Sequence, residues 1–228
     1  MRLLLIRHGQ IEANTLHQLE TRIPGPALTE VGTAQAHALP QLLADVPIAA
    51  IHASVMHRTQ ETARPLASAR GLEVAVLEGL EEIDAGEFTM RSDDASIQAY
   101  VSTVLGWAAG DLDRAMPGAP EGAADGHAFF ARYDAAIERA LAAAADSGAD
   151  GDGGVVVAFS HGAAIRTWVA GRAGNLGTSK AHHQALGNTA VVELERIDGR
   201  WSVLSWEGAP WTELEEADRA ADPTEPVA

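Results

Sequence analysis

At 228 residues with 46% hydrophobic side chains, the chain can bury a sizeable core as one domain, or as one domain with an inserted cap. Its 16 Lys and Arg stand against 32 Asp and Glu, a formal net charge of −16, which excludes the broad basic face that nucleic-acid binding requires. No apolar run is long enough to span a bilayer, and with no cysteine the chain has neither disulfides nor thiolate chemistry.

The first predicted strand, Leu3–Ile6, starts so close to Met1 that no signal peptide fits before it, and the expected location is cytoplasmic. Further strands are predicted at Ile48–Ile51, Val74–Leu77, Val155–Phe159, Ala190–Leu194 and Trp201–Trp206. Alanine-rich stretches of helical spacing separate them, the alternation of an α/β sandwich. Thr29 reads as the cap of a helix carrying Ala34, Ala38, Leu39 and Leu42, with a kink or break expected at Pro40. Ser54 reads as the cap of the next, which carries Arg58, Thr59, Thr62 and Ala63 and has Pro65 near its end. Residues 88–126 behave differently, with an amphipathic piece from Tyr100 to Trp107 and the cluster Met116-Pro117-Gly118-Ala119-Pro120, and read as an insertion or lid. A helix follows from His127 to Ala145, with Phe130, Tyr133, Ile137 and Leu141 on one face. Asp146–Gly154 reads as a flexible loop, and 212–228 as an acidic, solvated tail after a single domain of 1–211.

Two of the predicted strands end alike. Leu3-Leu4-Leu5-Ile6 runs into Arg7-His8-Gly9, and Val155–Phe159 runs through Ser160 into His161-Gly162. As buried parallel strands they would deliver two histidines and an arginine to the carboxyl end of one sheet, where open α/β folds bind ligands. The glycine after each histidine would let backbone N–H groups approach a ligand. An anion, most plausibly phosphate, suits such a crevice. His8 is the candidate nucleophile, since a neutral imidazole can attack phosphorus and divide one displacement into two. The ordinary alternative is a satisfied polar residue at a strand end. Arg7 and Arg58 are candidate phosphate forks, and His161 a candidate donor to the phosphoryl oxygens. A general acid is expected within Glu81, Glu82, Asp84 and Glu87, with a pKa raised by a lid, but spacing alone does not choose among these four. The adjacent His182 and His183 are a weak metal pair, because neighbouring side chains on a regular element point apart. His17 and Trp168 are candidate pocket-lining residues by sequence proximity, while His37, His52, His57 and His127 read as surface or packing residues.

Together these blocks resemble the histidine phosphatase superfamily, including its phosphoglycerate mutase-like branch. Arg7-His8-Gly9-Gln10 with Asn14, and Leu28-Thr29-Glu30-Val31-Gly32 with Gln35, resemble its opening. Ser54 with Arg58-Thr59-Gln60-Glu61-Thr62-Ala63 resembles its second block, Leu80-Glu81-Glu82-Ile83-Asp84-Ala85-Gly86 its third, and Ser160-His161-Gly162-Ala163-Ala164-Ile165-Arg166 its fourth. The resemblance implies a doubly wound, mostly parallel α/β sheet sandwiched by helices. It implies His8 as nucleophile, Glu82 rather than Glu81 as acid, and Arg7, Asn14, Arg58, His161 and Gly162 around the phosphate, with no metal or other cofactor. The chain departs from the family pattern at Glu87–Arg91 and at Gly118-Ala119-Pro120-Glu121-Gly122, where substrate choice is usually set, and lacks the arginine-rich insertion of the glycolytic mutases.

The expected function is therefore a metal-independent phosphomonoester hydrolase, acting through phosphohistidine on a small phosphorylated metabolite. Its expected partner is that small molecule, with neither nucleic acid nor membrane, and relatives often form homodimers. A phosphoglycerate mutase-type phosphotransferase ranks below it, since holding a doubly anionic substrate calls for more basic residues. A non-catalytic phospho-ligand binding module ranks lower still, because both histidines and the acid are present.

Overall fold

The computed structural model describes residues 1–119, 124–146, 154–176, 184–212 and 214. All six predicted strands form: β1 (Arg2–Arg7), β2 (Ile48–Ala53), β3 (Val74–Val76), β4 (Val155–Ser160), β5 (Val191–Ile197) and β6 (Arg200–Trp206). A short β7 (Ala209–Pro210), which the sequence reading did not separate, extends the edge. The sheet order is β3-β2-β4-β1-β5-β6-β7, parallel from β3 to β1 and antiparallel from β1 onward.

The central strands are apolar throughout because the sheet is covered on both faces, and side chains alternate between two cores. Leu3 and Leu5 of β1 join Val156 and Ala158 of β4 in the larger core. Helices α4 (Asp94–Ala108), α5 (Gly126–Asp146) and α6 (Gly162–Arg172) pack there through Tyr100, Trp107, Tyr133 and Trp168. Leu4 and Ile6 face the other way with Val155, Val157 and Phe159, under α2 (Glu30–Leu42) and α3 (His57–Arg70) through Leu39 and Leu66. A short α1 (Glu12–Thr15) follows β1.

Two local expectations need correction. Helix α2 is capped as predicted, with the Thr29 hydroxyl accepting the Gly32 N–H at 3.0 Å, but runs unbroken through Pro40 to Leu42. A proline in the last turn forfeits one backbone bond, and the buried Leu39 and Leu43 hold the turn in place. Helix α3 is not capped by Ser54: its N-cap is Met56, whose side chain makes no cap bond, and the Ser54 hydroxyl accepts the Met56 N–H from outside the helix.

Of the segment read as an insertion or lid, α4 is described and Pro120, Glu121 and Gly122 lie outside the described residues. Residues 147–153 of the predicted loop, His182, His183 and most of 212–228 also lie outside them, although Leu214 packs against the larger core. Among the described residues no helix is long and apolar enough to cross a membrane.

Candidate active site

Strand register brings the two histidines together. Arg7 of β1 pairs with Ser160 of β4, so His8 and His161 leave adjacent parallel strands side by side, their ring centroids 5.3 Å apart. His8 is 4% exposed, and its Nδ1 lies 2.7 Å from the Gly9 carbonyl oxygen. That oxygen can only accept, so the proton sits on Nδ1 and the Nε2 lone pair is left for chemistry. Burial, then the charges of Arg58 and Arg7, push the His8 pKa well below the usual imidazole range, and the ring is neutral at pH 7.

His161 has the complementary arrangement. Its Nε2 is 2.8 Å from the Ser54 hydroxyl, which accepts the Met56 N–H and lies 2.9 Å from the Thr59 hydroxyl. Thr59 can donate to the Met56 carbonyl oxygen at 2.8 Å, which frees the Ser54 proton for His161 Nε2. The His161 proton then resides on Nδ1, a buried atom with no partner among the described residues. Burial and the neighbouring Arg58 also depress this imidazole, so it serves as a neutral donor.

Arg58 sits in the first turn of α3 and is 1% exposed. Its Nη2 donates to the Glu20 carbonyl oxygen at 3.2 Å, whereas Nε and Nη1 have no partner among the described residues. Burial lowers its pKa to about 10, which leaves it charged at neutral pH. Gly25, at φ +74°, makes room for this guanidinium: a β-carbon there would stand 2.5 Å from Nη1. Arg7 donates from Nη1 to the Leu186 carbonyl oxygen at 2.6 Å, and its buried Nε is likewise unpaired. A β-carbon at Gly162 would crowd that Nε at 3.3 Å. Unsatisfied buried donors are rare in folded proteins because each forfeits its hydration. Arg7, Arg58 and His161 present four of them beside His8, a cradle that suits an oxyanion.

Glycine 9 does not offer its N–H to a ligand, contrary to the sequence reading. That N–H donates to the Thr62 hydroxyl at 2.9 Å, and the glycine is needed because the loop crosses α2 closely, a β-carbon falling 2.6 Å from the Gly32 carbonyl oxygen.

The acidic run after β3 resolves itself geometrically. Glu81 turns back to accept the Gly79 N–H and pairs with Arg132 at 3.2 Å, and Asp84 accepts the Gly86 N–H. Glu82 instead faces the cavity and accepts the N–H groups of Ile83 at 2.9 Å, Ala164 at 2.8 Å and Ala163 at 3.2 Å. Two of these are free donors at the start of α6, where the helix dipole favours negative charge. Arg132 of α5 fixes the loop by donating to the carbonyl oxygens of Gly79, Glu81 and Glu82 at 2.8, 3.0 and 3.2 Å.

These groups open onto a cavity of about 440 Å³. Arg7, His8, Asn14, Glu82 and Gly162 line it, while Arg58 and His161 are buried beside His8. Asn14 accepts the Ile11 N–H at 3.1 Å and a bond from Asn188 at 3.1 Å, while Asn188 also donates to the His8 carbonyl oxygen at 3.0 Å. His17 lines the cavity as predicted. Trp168 does not: it is 1% exposed in the core, and its Nε1 donates to Asp134. Standing four residues beyond the buried Ala164, it shares the inward face of α6.

Sequence reasoning missed Ser54 as the partner of His161, and missed Asn188, Tyr100, Glu20 and Arg166 at the cavity. Only Arg166 carried a usable signal, since it stands four residues after Gly162 and so shares its helix face.

Comparison with known proteins agrees with this geometry. The sequence pattern of the histidine phosphatase superfamily (branch 1) matches residues 3–208. PE-PGRS family protein PE_PGRS11 of Mycobacterium tuberculosis is 32% identical over 217 residues, 90% of this chain and 36% of the relative. Adenosylcobalamin/alpha-ribazole phosphatase of Salmonella typhimurium is 32% identical over 139 residues, 61% of this chain and 66% of the relative. The chain thus spans about a third of the length of the first relative and just under two thirds of the second. Among solved structures, alpha-ribazole phosphatase from Shigella flexneri has a TM-score of 0.65 at 25% identity, covering 91% of this chain and 96% of that one. A mycobacterial glucosyl-3-phosphoglycerate phosphatase in complex with VO3 shares the fold, with a TM-score of 0.71 at 24% identity over 91% of this chain and 99% of the other. With four motif blocks meeting at one strand-end crevice and a match across nearly the whole described domain, the chain belongs to branch 1 of the histidine phosphatase superfamily.

Proposed function

We propose that the chain is a metal-independent phosphomonoester hydrolase that works through a phosphohistidine on a small phosphorylated metabolite. The observation that carries the reading is His8, neutral, with its proton tied to the Gly9 carbonyl oxygen, facing unpaired donors of Arg7, Arg58 and His161. His8 Nε2 attacks phosphorus while the bond to the leaving oxygen breaks. Glu82 passes a proton to that oxygen and is left as a carboxylate. The same carboxylate then takes a proton from water, whose oxygen displaces His8 and releases phosphate. Arg7, Arg58 and His161, with Asn14 and Gly162 beside them, hold the non-bridging oxygens, which is catalysis by positioning and preorganised charge. A cavity of about 440 Å³, walled on one side by Ile97, Tyr100 and Val101 of α4, supports a small substrate.

The test is phosphate release from 4-nitrophenyl phosphate in excess chelator by wild type and His8→Ala. Wild-type turnover, with the variant folded and inactive, is expected. Near-normal rates in the variant, or wild-type dependence on added metal, would overturn the mechanism. Incubation with a phosphoglycerate checks the partition of the intermediate: isomerisation outpacing phosphate release would make the chain a mutase.

A further inference from the structure

Residues 79–83, which carry Glu82, lie in neither helix nor strand, yet each of their carbonyl oxygens in turn accepts from a side chain. Ser160 of β4 donates to the Leu80 oxygen at 2.7 Å, and Tyr100 of α4 to the Ile83 oxygen at 3.1 Å. The other oxygens belong to one residue, Arg132 of α5, which also bonds the Glu81 carboxylate. An ion pair with Glu81 would need only one edge of the guanidinium. Instead both terminal nitrogens are turned onto the backbone, Nη1 toward Gly79 and Glu81 and Nη2 toward Glu82. Burial works against that charge and lowers the Arg132 pKa. The segment has no slack against α5 either: Gly79 is at φ +104°, and a β-carbon there would stand 2.5 Å from the Arg132 carbonyl oxygen. Glu82 is thus gripped at both ends, its carbonyl oxygen by Arg132 and its carboxylate by N–H groups of Ile83 and of α6.

Building on the hydrolase reading above, with Glu82 as its acid, we infer that Arg132 is a positioning residue for proton transfer: its guanidinium fixes the backbone from which the Glu82 carboxyl group reaches the leaving oxygen. Arg132 stands outside the ring of residues that line the active-site cavity, so its contribution passes through Glu82. A proton is handed over efficiently only between groups held within hydrogen-bond reach, and a displacement of about 1 Å costs about a hundredfold. The steps that need Glu82 are departure of a poor leaving group and attack of water on phosphohistidine. Attack of His8 on an ester whose leaving group needs no proton does not need it.

The experiment measures kcat/KM for glycerol 3-phosphate and 4-nitrophenyl phosphate in wild type, Arg132→Met, Glu82→Gln and the double variant. Arg132→Met should lose about 10–100-fold on the alkyl ester and leave the aryl ester nearly unchanged. Stopped flow on the aryl ester reads the second step by itself, as a burst of nitrophenolate that wild type lacks. Because Arg132 acts only through the acid, adding Arg132→Met to Glu82→Gln should slow the alkyl ester no further. Arg132→Lys keeps the charge felt at His161 but not the fork, and should show the same split to a smaller degree. It carries the comparison alone where the methionine variant does not fold. Equal slowing of the two esters by Arg132→Met, a full multiplicative loss in the double variant, or a lysine variant as fast as wild type on both esters would overturn the inference. Failure of the underlying reading looks different: Glu82→Gln would itself slow both esters alike.

Discussion

Replacing Glu82 by Gln separates its anchoring contacts from its proposed chemistry. The carboxylate accepts three backbone N–H groups, two on Oε1 and one on Oε2. A glutamine can keep its carbonyl oxygen at the first position, but it then points an NH2 group at the Ala163 N–H. One bond is lost, at about 1 kcal/mol. Loss of the negative charge at the start of α6 adds about 0.5–1 kcal/mol. The sum, about 1.5–2 kcal/mol, lowers Tm by about 3–8 °C for a domain of this size. The kinetic effect should depend on the leaving group. An alkyl phosphate needs the proton, so its kcat/KM should fall about 10²–10⁴-fold. 4-Nitrophenolate leaves without help, so His8 should still be phosphorylated, and the slowed hydrolysis should appear as a burst of nitrophenolate in stopped flow. Equal slowing of alkyl and aryl esters with no burst would refute the acid–base role. An unchanged Tm would refute the anchoring to α6.

Other consequences are as direct. Ser54→Ala removes the group that sets the His161 tautomer; kcat/KM on 4-nitrophenyl phosphate should drop about 10–100-fold, equivalent to about 1.4–2.7 kcal/mol, and a change under twofold would count against the Ser54–His161 link. Phosphate or vanadate should stabilise the fold by filling the unpaired donors, by about 2.7 kcal/mol at a hundred times Kd, seen as a rise in Tm that Arg58→Met should mostly lose. His8, His52 and His161 are all depressed by burial, so the unfolded chain takes up their protons first. Stability is complete above the unfolded pKa of about 6.5 and falls as pH drops through and below it. Urea midpoints at pH 7.5 and 5.5 should show this, with a smaller difference in His52→Leu. Gly9→Ala should cost about 1–3 kcal/mol through its clash with the Gly32 carbonyl oxygen, read by thermal melting.

Much of this protein was legible in its sequence. The runs Leu3–Ile6 and Val155–Phe159 announced strands buried on both faces, because only a strand covered by helices on each side is apolar at every position. The His-Gly pairs behind them, together with Arg7, Arg58 and Asn14, were visible as local motifs, and the family blocks selected Glu82. Tertiary structure decided what local pattern could not carry. The β1–β4 register placed His8 beside His161, although 153 positions separate them in the chain. Hydrogen bonds from distant segments chose the His161 tautomer, turned Glu81 into a loop clamp and Glu82 toward the cavity, and took Ser54 from a helix cap to a histidine partner. Residue type and spacing report which groups a chain can present and which face it buries. Partnership between buried polar groups depends on which strands become neighbours, and that is settled only when the whole sheet forms.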